Sequence, residues 1–175
     1  MTRAVLEIRL LRPDEWQVLR DVRLQALCDA PHAFAADPQQ ELLLSDDQWR
    51  QRLRTAVWVV ATEDDAVIGI AGLVRGDPAE PEHVESVWVA PAHRHRGVST
   101  RLLRRVEEIA RGRQLSDLWL WVMEDNLLAQ QVYARFGFRW TGERKLIDVR
   151  RQLVECRMRR AIRGRATVSE RAPRS

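Results

Sequence analysis

The chain has 175 residues and a mass of 20.4 kDa, enough for one ordinary domain, and its 45% hydrophobic and 31% charged residues, with seven Trp, belong to a folded, soluble protein rather than a disordered one. Its longest unbroken apolar stretches, Val57 to Ala61 and Leu118 to Met123, fall far short of the roughly 20 residues that cross a bilayer, and Arg3, Glu7, Arg9 and Arg12 break up any secretory signal, so a cytoplasmic protein is expected. The formal net charge of +4 is uneven, because residues 150–175 carry nine Arg against Glu155 and Glu170, a net of +7, which leaves −3 on residues 1–149.

Val5 to Leu11 alternates and runs into Arg12-Pro13-Asp14, which predicts a strand and then a helix start. Trp16, Leu19, Val22 and Ala26 recur at helical spacing until Asp29-Ala30-Pro31 stops the pattern. Ser45-Asp46-Asp47-Gln48 has the form of a capping box and opens a second helix with Trp49 and Leu53 on one face. Val57 to Thr62 and Ala66 to Val74 flank the charged turn Glu63-Asp64-Asp65 and predict a hairpin; after the loop Gly76 to Glu82, Val84 to Ala90 is a further strand ended by Pro91. Gly97 leads into a helix with Leu102, Leu103, Val106, Ile109 and Ala110 on one face, and Gly112 is placed to end it. Leu115 to Met123 is a strand, and Asn126 caps a helix carrying Leu128, Ala129, Val132 and Phe136 that Gly137 terminates. Phe138 to Thr141 and Gln152 to Met158 complete the order β-α-α-β-β-β-α-β-α-β-β.

Strands and helices alternate only in the middle of that order, which predicts a single α/β domain with a mixed sheet and helices on both faces. The domain is expected over residues 1–162. Residues 163–175 (RGRATVSERAPRS) form a basic tail too poor in apolar side chains to order itself. Cys28 and Cys156 are far apart and form no metal-spaced pair, so neither a disulfide nor a cysteine metal site is expected. Of the 29 basic residues 28 are arginine, a compositional skew of low functional content.

The eight glycines include no GxG and no GK[ST], and no serine sits in GxSxG, which removes dinucleotide-fingerprint, P-loop and serine-hydrolase readings. His83, His93 and His95 lack metal-ligand spacing and stand among arginines, so no metal is expected. What remains is the segment Val84 to Arg105, where a strand enters the short loop Arg94-His95-Arg96-Gly97-Val98-Ser99 and a helix begins at once. Such a loop presents successive backbone N–H groups at the positive end of a helix dipole and can cradle a phosphate or pyrophosphate, with Arg94 and Arg96 adding cationic reach. A plain strand-to-helix turn with Gly97 at positive φ is the alternative.

About thirty residues later comes Asn126-x-x-Ala129-x-x-x-Tyr133-x-x-x-Gly137-Phe138. The two segments together, Arg94-x-x-Gly97-x-Ser99 after a V-x-V-x-P strand and then N-x-x-A-x-x-x-Y-x-x-x-G-F, resemble the GNAT superfamily of N-acetyltransferases. The resemblance covers most of residues 5–160, and R-P-D-E-W…D-A-P-H-A-F resembles the N-terminal helices of many bacterial members. One departure is Ser99, where the family usually has Gly or Ala; serine is small enough to let a phosphate approach.

The resemblance implies a largely antiparallel sheet, acetyl-CoA as donor and direct transfer to a primary amine of a small molecule or peptide. Backbone groups of Val87, Trp88 and Val89 would meet the pantetheine arm; Arg94, His95, Arg96, Gly97, Val98, Ser99 and Thr100 would hold the pyrophosphate; Asn126 and Ala129 would contact the cofactor. Glu85 is implied as general base and Tyr133 as general acid, since transfer from a thioester needs a deprotonated amine and a proton for the leaving thiolate. Glu85 is expected to share strand parity with Val87 and Val89. A non-catalytic acyl-CoA-binding sensor is the alternative, and keeping both an acid and a base favours the enzyme. The acceptor amine is left unspecified, neither membrane nor nucleic acid is expected as partner, the latter because the chain outside its tail is net acidic, and the protein is expected to be a monomer or homodimer.

Overall fold

The computed structural model describes residues 5–75 and 80–162, so the expected basic tail and the first four residues, 76–79, of the expected Gly76 to Glu82 loop lie outside the described residues. The elements run β1 (Leu6–Leu10), α1 (Trp16–Asp29), α2 (Pro38–Leu42), α3 (Asp46–Thr55), β2 (Ala56–Glu63), β3 (Ala66–Val74), β4 (His83–Val89), α4 (Val98–Gly112), β5 (Asp117–Met123), α5 (Leu127–Phe136), β6 (Arg139–Asp148) and β7 (Leu153–Ala161). The seven strands form one sheet in the order β1-β2-β3-β4-β5-β7-β6, in which β4 and β5 are parallel and every other neighbouring pair is antiparallel. Helices cover both faces, as expected.

Local chemistry explains several boundaries. The Ser45 hydroxyl accepts from Gln48 N and the Gln48 side chain accepts from Ser45 N at 2.8 Å, so the capping box forms in full at α3. Asp64 and Asp65 take φ of 49° and 66°, the pair of positive values that closes the β2–β3 hairpin with the twist its strands require. Two features were not expected. α2 begins at Pro38 with the Asp37 carboxylate accepting from Gln39 N at 2.9 Å. β6 runs well past Thr141, following β7 through a register shift around Gly142, whose φ is 89°.

One apolar cluster lies under α4 and α5 and includes Val59, Leu102, Leu103, Val106, Leu120 and Phe138. The other lies under α1 and α3 and includes Leu19, Trp49, Trp58, Ile70 and Trp88. Within it Gly72 faces Trp58 across the β2–β3 ladder, and a Cβ at Gly72 would stand 2.7 Å from the indole ring. That indole is 2% exposed and donates to Arg52 O at 3.2 Å, so it has little freedom to retreat. Gly72→Ala is therefore expected to cost about 1–3 kcal/mol of stability, seen as a lower urea midpoint at unchanged slope.

The junction that matters for function is the parallel one. β4 and β5 pair only at His83 with Trp119 and Val84 with Leu120, and beyond these residues the strands separate. The sheet opens there into a cleft.

Candidate active site

β4 forms one wall of the cleft, and a bulge shapes it. Ile70 pairs with Trp88 and Gly72 with Glu85, so Ala71 alone stands opposite Ser86 and Val87. Ser86 has φ of 58°, in the left-handed region. The extra residue breaks the strand's alternation. Val84, Val87 and Val89 pack with the α4–α5 cluster, whereas Trp88 belongs to the α1–α3 cluster and Ser86 bonds to α1. This corrects the expected parity: Glu85 does not share a face with Val87 and Val89 but lies on the α1–α3 side, next to His83 and within reach of the charges of Arg23 and Arg52.

From Glu85 to Val89 the backbone edge of β4 that faces β5 has no strand partner among the described residues. The Val89 carbonyl accepts from Arg94 Nε at 3.0 Å. The Trp88 side chain points away from that edge's α4–α5 face, and its indole N–H donates to Asp29 at 2.8 Å, so only its backbone is placed to serve a ligand there.

The loop after β4 reaches α4 through His95 at φ 60° and Gly97 at φ 76°. Arg94 pairs with Asp29, and Arg96 grips Glu63 at 2.6 and 3.0 Å, so both guanidinium groups are engaged by carboxylates. Gly97 supplies no side-chain cap, in contrast to Ser45 at α3 and Asn126 at α5. Among the described residues the N–H groups of Gly97, Val98, Ser99 and Thr100 have no acceptor, and beyond its chain neighbours no described atom lies within 4 Å of where a Gly97 Cβ would stand. An uncapped, open helix N-terminus of this kind fits an anion. Next to it, Thr100, Arg104, Glu107, Arg135, Phe136 and Arg160 line a cavity of about 240 Å³ between α4 and α5. Arg104, Arg135 and Arg160 were not singled out by sequence, because nothing in their spacing separates them from the other arginines.

α5 follows β5, the strand on the far side of the cleft. The Asn126 side chain accepts from Ala129 N at 3.1 Å, so in this structure it acts as the N-cap. Two turns on, Tyr133 is 9% exposed, inside the α4–α5 cluster, with its ring edge-on to Phe138 at 5.9 Å. Burial pushes its phenol well above the usual tyrosine value, which keeps it protonated at every physiological pH.

On the α1–α3 side, burial pushes the Glu85 carboxyl up, but His83, with Nε2 3.8 Å from Oε2, and the charges of Arg23 and Arg52 outweigh it, and the pKa falls below the ordinary glutamate value. At 3.8 Å the pair is a charge contact rather than a formed hydrogen bond. His83 is raised in turn, chiefly by Glu85 and against its own burial. Across β5, Glu155 of β7 is raised by burial and by the Glu85 charge, with Lys145 and His83 opposing. No group of three or more His, Cys, Asp or Glu is arranged to hold a metal among the described residues, and none of the helices there is long and apolar enough to cross a membrane.

A splayed mixed sheet with an uncapped helix N-terminus at the mouth of its cleft offers free backbone groups to an anionic, extended ligand. The acetyltransferase (GNAT) family profile matches residues 20–138. The chain is 32% identical to the N-alpha-acetyltransferase RimI of Mycobacterium tuberculosis over 134 residues, 71% of this chain and 82% of that one. It superposes on a GNAT-family acetyltransferase from Streptococcus pneumoniae with a TM-score of 0.75 at 18% identity, covering 90% of this chain and 99% of that one. Against the YncA protein of Salmonella typhimurium, solved with its cofactor acetyl-CoA, the TM-score is 0.68 at 19% identity, with 95% and 99% covered. The chain belongs to the GNAT family. It is an acetyl-CoA-dependent N-acetyltransferase, and the non-catalytic sensor reading is not favoured.

Proposed function

We propose that the acceptor is the α-amine of a peptide or protein N-terminus, and that Glu85 receives its proton, directly or through a water, while Tyr133 donates one to the departing thiolate. When bound, acetyl-CoA supplies an activated acetyl thioester. The backbone N–H groups from His95 to Thr100 hold its pyrophosphate, Val87 to Val89 present the free edge of β4 to its arm, and Asn126 and Ala129 flank it from α5. The observation that carries the acceptor class is the likeness to RimI, an N-alpha-acetyltransferase, across most of both chains. The side-chain chemistry agrees. Glu85 on β4 and Glu155 on β7 put two carboxylates on the face of the sheet away from α4 and α5, which suits an acceptor that arrives as an ammonium ion, and Glu85, held ionised, can take the proton the amine must lose.

Thiol release from acetyl-CoA is the measurement, with short peptides bearing each N-terminal residue and a free α-amine. The same peptides with a blocked N-terminus and a free lysine are the control. Turnover confined to free α-amines is expected; equal turnover of the blocked peptides would sink the acceptor assignment. With the best peptide, Glu85→Gln is expected to lower kcat/KM by about 10²-fold or more at neutral pH and to remove the inflection that the wild type shows below the ordinary glutamate range. The sign follows from the lowered pKa, which keeps the wild-type base ionised down to pH values below the ordinary glutamate range. An unchanged rate and profile would remove Glu85 from the mechanism.

A further inference from the structure

Beside the cleft lies a buried charge cluster that the reaction as described does not use. Arg23, from the middle of α1, is 7% exposed and Glu41 of α2 is 5% exposed. Arg23 Nε and Nη2 donate to Glu41 at 3.1 and 2.9 Å, and Nη1 donates to Ser86 Oγ at 2.7 Å. Arg52 of α3 reaches the same Glu41 at 3.0 Å, and the Arg23 guanidinium lies over the Phe34 ring at 5.0 Å. A hydroxyl has one proton to give. With Arg23 donating into its oxygen, Ser86 donates to Glu85 Oε1, 3.4 Å away.

A buried ion pair is weak evidence of stabilisation, since well-packed apolar side chains of similar volume serve a scaffold as well or better. The third arm of this guanidinium does something an apolar side chain cannot. It ends on the bulge residue, whose left-handed backbone persists only where its surroundings fix it, and that residue's hydroxyl ends on the carboxylate at the cleft. We propose that Arg23 and Ser86 are positioning residues for acetyl transfer: the guanidinium fixes the bulge hydroxyl, and the hydroxyl fixes the Glu85 carboxylate. The inference rests on the reading of Glu85 as the base. It also ties that base to α2, because Glu41 holds the other two arms of the fork. The charged groups around Glu85 are His83 on its own strand, Arg23 from α1, Arg52 from α3 and Glu155 from β7, with Glu41 of α2 behind the two arginines.

The test uses the full chain with Ser86→Gly, Arg23→Lys, the two combined, and Glu85→Gln. Glycine removes the hydroxyl and accepts positive φ without strain, so Ser86→Gly keeps the test decisive even where Arg23→Lys folds poorly. Lysine keeps the charge but cannot reproduce the fork. Calorimetry with acetyl-CoA should return the wild-type Kd for Ser86→Gly, while kcat/KM with a free-α-amine peptide falls by about 10²-fold, the scale of a misplaced catalytic group. Arg23→Lys should lose as much, and the double variant no more than the worse single one. NMR titration of the Glu85 carboxyl carbon needs no acceptor, and its midpoint should move to higher pH in Ser86→Gly.

A wild-type rate or an unmoved midpoint in Ser86→Gly overturns the proposal, as does full activity in Arg23→Lys or additive losses in the double variant. Should Glu85→Gln be slow while Ser86→Gly is normal, the positioning role alone fails. Should Glu85→Gln be fully active, the assignment of the base fails instead, and if no peptide is a substrate the titration still decides.

Discussion

Tyr133→Phe is expected to lower kcat by about 10²–10⁴-fold with acetyl-CoA affinity nearly unchanged, the range that general-acid roles span. The ring of Tyr133 is buried against Phe138, so phenylalanine keeps the packing and removes only the donor. Burial raises the phenol's pKa, which makes it a weaker acid than the reference value of about 10 would suggest. A thiolate released beside it would form in similarly dry surroundings, and desolvation would raise the proton affinity of that anion too. A neutral phenol can therefore donate a hydrogen bond early and its proton late. Single-turnover measurement of thiol release is the check, because it isolates chemistry from product release. A folded Phe variant that binds acetyl-CoA and transfers acetyl at the wild-type single-turnover rate would falsify the assignment.

Gly97→Asp is expected to weaken acetyl-CoA binding by at least about 10²-fold, since a charge-assisted hydrogen bond contributes about 1.5–3 kcal/mol and more than one N–H at the α4 terminus is at stake. The new carboxylate would compete for those groups and repel the pyrophosphate. The site is open, with no described atom beyond the chain neighbours within 4 Å of the added Cβ, so the Cβ meets no clash. Its φ of 76° strains any residue with a side chain, but Asp and Asn adopt the left-handed region more readily than others. Gly97→Asn is the paired control, carrying the same shape without the charge. Calorimetry should show Asp far weaker than Asn at similar melting temperatures; equal affinities would place the pyrophosphate elsewhere.

The parts of the fold written in local chemistry were legible. The α4 stripe of Leu102, Leu103, Val106 and Ala110 is fully buried, the capping box at Ser45 forms, and the hairpin closes at Asp64-Asp65. The loop from Arg94 to Ser99 could be read because a helix N-terminus advertises itself in sequence. α2 could not, since its buried residue is Glu41, which carries no apolar signal and is satisfied only by arginines 18 residues before it and on the following helix. The length of β6 was hidden by its solvent-facing residues, which show no alternation. The bulge at Ser86 is a matter of register between two strands, invisible along one of them, and it moved Glu85 to the opposite face from the one expected. Arg23 was lost among 28 arginines, where only depth distinguishes a guanidinium that orders a site from one that meets water.

The separation of β4 from β5 leaves ladder groups open in the middle of the molecule instead of at its rim. An outer edge invites any extended chain, including a second copy of the protein. An edge sunk between helices admits only something as thin as a single strand that brings its own amide donors and acceptors. The same unpaired edge that would be an aggregation hazard on the outside thus becomes, at the centre, a filter on the shape of what fits there.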